Sequence, residues 1–213
     1  MIGLVGPQRC GKSTLAQAFA QVHGIPFVQT GASEVFALLG KDPKVDYPVE
    51  ERLAIQEAIL FALERQYAAA AKLTPVFIAD RCPIDLASYM MADIQRSTLA
   101  GEPAIAAMVN DYVRRCLEAT NRWFSTVVLV QPGIALVEAV EKAPACPANI
   151  EHINLIQSGL LLDDRLNARH YMIPRRCTDL QERVAALKGA CTHAIDHAKK
   201  TCSQRDEAGI LVH

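Results

Sequence analysis

The stretch from Gly6 to Thr14 reads Gly-Pro-Gln-Arg-Cys-Gly-Lys-Ser-Thr and contains the spacing G-x-x-x-x-G-K-[ST]. Glycines at these places let successive backbone N–H groups curl around phosphate oxygens. A helix that begins directly after such a loop turns the positive end of its dipole toward the same anion. The stretch therefore predicts a phosphate-binding P-loop, in which Lys12 reaches the outer phosphates and the Ser13 hydroxyl ligates Mg²⁺.

A second pair of charged residues closes a later apolar run. Residues 76–79 read Val-Phe-Ile-Ala, and Asp80 and Arg81 follow directly. A continuous apolar run between helical segments is typical of a parallel strand that is covered on both faces. Ligands of open parallel sheets bind off the carboxyl ends of strands, so these two side chains emerge beside the P-loop if the two strands are neighbours.

The elements that must position these residues alternate along the chain. Apolar segments predict five short strands, and amphipathic patterns predict helices between them. We expect an α/β fold of the P-loop NTPase type, with three layers and a central five-stranded parallel sheet flanked by helices. Thr178-x-x-Gln181 predicts a capping box at the start of the closing helix. The predicted strands are 2–5, 26–29, 76–79, 125–130 and 171–174.

Length and composition indicate the number of domains, the kinds of partner and the compartment that suit this chain. The 213 residues favour one domain, 1–213, and the formal net charge of −1 provides no global attraction to nucleic acid or an anionic membrane. The seven cysteines are odd in number and form no C-x-x-C pair, which favours free thiols over disulfides or a zinc site. No apolar run approaches the length of a membrane span, and a strand that begins at residue 2 leaves no room for a signal peptide. We expect a soluble protein of the cytoplasm, or of the host cytoplasm if the source is a phage.

Two other classes of P-loop protein fit the sequence poorly. A GTPase normally carries Asp-x-x-Gly after its third strand, whereas this chain has Asp80-Arg81-Cys82-Pro83 and no Asn-Lys-x-Asp anywhere. Motor ATPases commonly end the corresponding strand in Asp-Glu, where the Glu polarises water, and here Arg81 follows the Asp. A P-loop ATPase that regulates a partner stays open as an alternative function.

The chain resembles the P-loop nucleoside and nucleotide kinases, in the broad thymidylate-kinase and deoxynucleotide-kinase group that includes phage members. The resemblance rests on the P-loop, on Asp80-Arg81, and on an arginine-bearing segment late in the chain that looks like a lid. It implies ATP and Mg²⁺ as cofactors, Asp80 as general base or ligand of a Mg²⁺-bound water, and Arg81 as a clamp on the acceptor or phosphate. In that group Asp-Arg often precedes x-Gly-Lys; here Gln8-Arg9 stands there, so Arg9 could contact the transferring phosphoryl group and the carboxylate has no counterpart.

The candidate site consists of the P-loop with its catalytic and metal-binding residues, a lid, and a set of contacts to the acceptor. The lid is expected at about 147–170, where either Arg165 or Arg169 completes the site on closure, although both arginines could equally be surface residues. For the acceptor contacts, solvent-facing, capping or packing roles remain open. Predicted catalytic residues are Lys12, Asp80, Arg81, Arg9 and Arg165. Predicted nucleotide-binding residues are Gly6, Arg9, Cys10, Gly11, Lys12, Ser13 and Thr14, the metal ligands are Ser13 and Asp80, and the acceptor residues are Gln29, Thr30, Arg52, Gln56, Asp85 and Arg169.

The chemistry and the net charge indicate the class of the acceptor but not its identity. A free nucleoside or nucleoside monophosphate is favoured, because a near-neutral chain of this size needs no polymer substrate. A hydroxymethylated pyrimidine base within phage DNA is the alternative, and it would require an extruded base and a basic track for the backbone. The sequence leaves the oligomeric state open.

Overall fold

Ile2–Val5 form the first and central strand, β1, and all four side chains are buried. The structure is a computed structural model that describes residues 1–94, 101–136 and 146–207. The Pro-rich connection expected at 143–147 therefore lies mostly outside the described residues. None of the helices within the described ranges is both long and apolar enough to cross a membrane.

The strands form one parallel sheet in the order β2-β3-β1-β4-β5. β1 pairs with β3 on one side and β4 on the other, so Ile2 lies between Ile78 and Thr126. This confirms the predicted five-stranded parallel sheet and the neighbourhood of the first and third strands. The strands after β1 are β2 (Phe27–Val28), β3 (Ile78–Ala79), β4 (Thr126–Val130) and β5 (Arg169–Ile173).

Helices cover the two faces of the sheet. One buried cluster joins α1 and the closing helix to one face through Leu15, Phe19 and Leu187, and a larger cluster packs α3, α4 and α5 on the other. Such a sheet, buried on both sides, explains why its central strands read as unbroken apolar runs. The described residues contain seven helices: α1 (Lys12–His23), α2 (Ala32–Leu38), α3 (Val49–Leu73), α4 (Pro83–Asp93), α5 (Pro103–Trp123), α6 (Pro147–Leu161) and α7 (Leu180–Glu207).

The last third of the chain differs in detail from the prediction. The pattern of residues 149–169 predicts one helical stretch, but α6 ends at Leu161, and Arg169 is already the first residue of β5. The predicted capping box is also wrong. Asp179, and not Thr178, accepts hydrogen bonds from the backbone N–H groups of Gln181 and Glu182, since α7 begins one residue later than the box requires.

The segment predicted as a lid begins as a packed helix. Ile150, Ile153 and Leu161 of α6 are buried, and Gln157 donates hydrogen bonds to Asp85 and Ser88 of α4. A closing motion of 147–161 would have to break these contacts. The packing of α6 is that of a helix in the body of the domain.

Candidate active site

The P-loop connects β1 to α1 through backbone conformations that few residues adopt. Gly11 has φ 86° and Arg9 has φ 61°, both in the left-handed region that favours glycine. A Cβ atom on Gly6 would lie 2.6 Å from the carbonyl oxygen of Val130 and 2.7 Å from the sulfur of Cys10. Glycine at position 6 is therefore required by the close approach of β4, and α1 starts at Lys12 with its N-terminus at the loop.

Lys12 lies inside this loop and is almost fully buried. Its Nζ donates to the carbonyl oxygen of Pro7 at 2.9 Å and to that of Gly6. Burial by itself lowers the pKa of this ammonium, but the electrostatic influence of Cys10 and Asp85 outweighs burial and raises it. Burial also raises the pKa of the Cys10 thiol, so of the two neighbours we regard Asp85 as the source of negative charge. Lys12 is held as a cation among carbonyls of the loop.

Asp80 joins three segments at the carboxyl edge of the sheet. Its Oδ2 accepts a hydrogen bond from the Ser13 hydroxyl at 2.6 Å. Its Oδ1 accepts from the backbone N–H of Thr30 at 3.1 Å and from the Thr30 hydroxyl at 2.8 Å. The ends of β2 and β3 are thereby tied to the start of α1. This arrangement brings three of the predicted site residues together.

Arg81 lies on the face of an aromatic ring beside this network. Its guanidinium carbon is 5.4 Å from the centroid of Tyr89, a cation–π contact. The Tyr89 hydroxyl donates to Oε1 of Gln8 in the P-loop at 3.2 Å. Tyr67 of α3 donates to the carbonyl oxygen of Arg81 at 2.8 Å. The side chain of Arg81 is partly exposed, and its orientation is fixed by the ring.

Asp85 is fully buried, which corrects its predicted role as an acceptor contact. Its Oδ1 accepts from the backbone N–H of Gly6 at 3.2 Å and from Nε2 of Gln157 at 2.8 Å, and Oδ2 has no partner. Desolvation raises the pKa of this carboxyl, although the nearby charges of Lys12 and Arg81 act in the opposite direction. Asp85 supports the first residue of the P-loop from behind and does not face a substrate.

Arg165 and Arg169 lie at the other edge of the sheet, so their predicted place at the phosphates is wrong. Arg169 is level with Ile2 at the start of the strands, whereas the P-loop follows Val5. Four residues of strand separate the two levels by about 13 Å. Arg165 is exposed and paired with Asp163. The lid hypothesis loses the two arginines that motivated it.

The other predicted acceptor residues, Arg52, Gln56 and Gln29, differ in their surroundings. Arg52 forms ion pairs with Asp46 and Asp93, so its guanidinium already has two carboxylate partners. Gln56 is nearly buried, and its buried Oε1 has no hydrogen-bond partner among the described residues. Gln29 is exposed at the end of β2, next to Thr30.

Sequence reasoning missed Arg183, which reaches the P-loop from α7. Its Nη1 donates to the carbonyl oxygen of Cys10 at 2.8 Å, and the side chain is buried. One signal was available, because position 183 lies three residues after Leu180 and four before Leu187, on the apolar stripe of the helix. A cation on that stripe has to find polar partners inside the protein.

The residues at the P-loop fit a magnesium ion of the kind that P-loop proteins use. Mg²⁺ prefers oxygen ligands and keeps several waters and phosphate oxygens in its shell, so few protein ligands are required. A hydroxyl and a carboxylate, Ser13 and Asp80, are in contact at the start of α1. The described residues contain no cluster of three or more His, Cys, Asp or Glu side chains for a metal held by protein alone.

Comparisons with known proteins agree with this architecture. A family model described as an AAA domain matches residues 1–133. A deoxyadenosine kinase from M. mycoides, with the products dCMP and a flexible dCDP bound, superposes with a TM-score of 0.61 and 14% identity over 90% of this chain and 98% of its own. The same kinase with bound dATP gives 0.59 and 14% over 88% and 97%. No curated protein matches the chain in sequence. The likeness confirms the fold of a P-loop kinase.

Proposed function

We propose that this chain, which belongs to the AAA-domain family, is a P-loop kinase that transfers the γ-phosphoryl group of ATP to a free nucleoside or nucleoside monophosphate. The observation that carries the proposal is the Asp80 network. It joins the P-loop, through Ser13, to the end of β2, through Thr30, and Arg81 follows Asp80 directly. This network supports a donor site and an acceptor site that share one carboxylate.

The chemistry asks for positioning and positive charge more than for covalent catalysis. An oxygen of the acceptor attacks the γ-phosphorus, the bond from that phosphorus to the β,γ-bridging oxygen breaks, and ADP leaves. A nucleoside hydroxyl releases its proton to water, whereas a monophosphate attacks with an oxygen that is already ionised. Lys12 supplies positive charge from inside the loop, and the N-terminus of α1 and the loop amides supply more. A magnesium ion held by Ser13 and Asp80 would neutralise phosphate charge when bound.

The hydrogen bonds to Asp80 favour a holding role over proton transfer. Both carboxylate oxygens already accept hydrogen bonds, three in all, from Ser13 and Thr30. A carboxylate has about four lone-pair sites, so these three hydrogen bonds leave one site on Oδ2. The Ser13 hydroxyl lies on that same oxygen, which favours the metal over an acceptor proton at the remaining site. We therefore assign Asp80 to the orientation of the Ser13 hydroxyl and the metal, rather than to the abstraction of the acceptor proton.

The surroundings of Arg81 favour an anionic acceptor. The guanidinium lies over the ring of Tyr89, and within the described ranges its nitrogens donate no hydrogen bond. An arginine that is oriented by an aromatic ring keeps its planar set of N–H donors for a phosphate or carboxylate. The M. mycoides kinase was solved with dCMP and dCDP bound, which supports a nucleotide-sized ligand in this fold.

The test is a transfer assay with γ-labelled ATP and a panel of acceptors. The panel contains free deoxynucleosides, their monophosphates, and duplex DNA that carries hydroxymethylated pyrimidines. We expect label on a free acceptor, matched by an equal amount of ADP. Label only in DNA would support the phage-type alternative, and ADP release that is independent of every acceptor would support an ATPase module of the AAA family.

A further inference from the structure

Arg183 of α7 is buried to 2% exposure, and each hydrogen bond from its guanidinium goes to a backbone carbonyl. Nη1 donates to Cys10 at 2.8 Å, and Nε donates to Cys177 at 2.7 Å. Nη2 is buried without a partner. One side chain thus bridges the P-loop and the loop of residues 174–179 that connects β5 to α7.

The bond to Cys10 controls the direction of a P-loop amide. The Cys10 carbonyl and the Gly11 N–H belong to one trans peptide group, so they point in opposite directions. Because Arg183 holds the carbonyl, it turns the Gly11 N–H away from α7. Gly11 adopts φ 86°, and glycine tolerates both signs of φ, so this peptide group could rotate if the guanidinium were absent.

The charge of Arg183 has no counterion near it. No carboxylate pairs with the guanidinium in the part of the chain that the structure describes, and its partners are neutral carbonyls. A buried charge without an opposite charge is unfavourable. The guanidinium lies against Gly11, since a Cβ built there would be 3.2 Å from Nη1. A polyphosphate bound by the loop would bring negative charge to this position.

We propose that Arg183 is a positioning residue for the donor nucleotide: it fixes the 10–11 peptide group so that the Gly11 N–H faces the phosphates. The inference rests on the proposed function only in requiring that the P-loop binds a nucleoside diphosphate or triphosphate. Arg183 reaches the ligand through the backbone of the loop and supplies charge from behind it.

The experiment compares Arg183→Met and Arg183→Lys with Lys188→Met, which removes a cation from an exposed position of the same helix. ADP affinity is measured by calorimetry without an acceptor, together with the melting temperature without nucleotide. A hydrogen bond from a charged donor predicts an ADP dissociation constant about 10- to 100-fold higher for Arg183→Met and unchanged for Lys188→Met. Arg183→Lys should fall between, because an ammonium cannot serve two carbonyls as a planar fork does.

Equal ADP affinity in Arg183→Met and Lys188→Met would overturn the proposal, even if Arg183→Met melts at a lower temperature. If Arg183→Met does not fold, the ADP affinity of Arg183→Lys is the test. A wild-type ADP affinity in Arg183→Lys would overturn the proposal. The outcome is separable from the kinase proposal. A wild-type protein that binds ADP but labels no acceptor refutes the kinase activity and leaves the comparison of the variants intact.

Discussion

The hydroxyl of Ser13 donates a hydrogen bond to Asp80 Oδ2 at 2.6 Å, although 67 positions separate the two residues. The bond joins the P-loop to the charged end of β3, the two features that the sequence indicated separately. It exists because β1 and β3 are neighbouring parallel strands whose carboxyl ends meet at one edge. The predictions below begin with the residues at this edge.

Lys12→Met should lower phosphoryl transfer by at least about 100-fold, because the variant loses the buried ammonium that can stabilise developing phosphate charge. The melting temperature without nucleotide should stay near that of wild type, since the partners of Nζ are loop carbonyls. Steady-state kinetics and thermal melts measure the two effects, with Lys188→Met as the control. Turnover above about a tenth of wild type would contradict the assignment of Lys12.

Asp80→Asn keeps the size of the side chain but removes its charge and one acceptor oxygen. The Ser13 hydroxyl and Thr30 then compete for the single remaining oxygen. We expect turnover to fall by about 10- to 100-fold, because the carboxylate that orients the metal and the Ser13 hydroxyl is lost, with ADP binding in the absence of metal retained. Asp111→Asn, an exposed carboxylate on α5, is the matched control. Normal turnover by Asp80→Asn would make Asp80 a structural residue only.

Arg81→Met should raise the KM for the acceptor and leave the KM for ATP nearly unchanged. The reason is that the guanidinium lies over the ring of Tyr89, and we propose that it binds the acceptor phosphate. Arg114→Met, which removes an exposed cation from α5, provides the comparison. The rise in KM should be larger for a monophosphate acceptor than for the corresponding nucleoside. An equal rise for both would refute a contact between Arg81 and the acceptor phosphate.

Asp85 should make stability depend on pH in a direction opposite to that of a surface carboxylate. Burial raises its pKa above 3.8, so the folded state favours the protonated form. Stability from this group is present at low pH and is lost as the pH rises from the unfolded pKa through the folded one. Urea unfolding from pH 4 to 8 should show this slope in wild type and a shallower one in Asp85→Asn. Identical slopes would mean that the environment does not perturb Asp85.

Asp85→Ala provides a second measurement on the same residue. The Gly6 N–H and the Gln157 amide would lose their common acceptor inside the protein. An unsatisfied buried donor costs about 1–3 kcal/mol, and the P-loop would be less well held. Asp85→Asn retains an acceptor oxygen and should be less affected. Equal unfolding free energies for the two variants would remove the supporting role of Asp85.

The cysteines should differ sharply in their rates of alkylation by iodoacetamide at pH 8. Burial raises the pKa of Cys116 and of Cys191 to about 12, so both remain thiols at that pH and are shielded from reagent. Cys146 is exposed and should react first. Mass spectrometry of digested protein reads the sites directly, and unfolding in urea before alkylation is the control. Early labelling of Cys116 would show that its cluster opens readily.

The sequence predicted the fold and the phosphate edge of the site, because both depend on local signals. Apolar runs locate the strands, and the spacing from Gly6 to Ser13 fixes a loop whose conformation is largely its own. The predictions that failed depend on how far along the strands of the sheet a residue lies. Arg165 and Arg169 were placed by their charge alone, and only the register of β5 shows that they face the wrong edge.

The supporting contacts of the P-loop were beyond the reach of the sequence. Asp85 had the residue type of a ligand contact, but its burial against Gln157 depends on how α6 packs on α4. The place of Arg183 on the apolar stripe of α7 indicates burial, but its partners Cys10 and Cys177 are determined by the docking of α7. Such contacts depend on the assembled tertiary structure and carry no local motif.

The bond from Arg183 to Cys10 spans 173 positions, nearly the whole chain, and this has a consequence for biosynthesis. A ribosome adds about 5–20 residues per second, so the P-loop is made roughly 10–35 s before the arginine that braces it. During that interval β1 and α1 can pair with their neighbours, but the loop lacks its last support. We expect the nascent protein to reach its full nucleotide affinity only once α7 has docked.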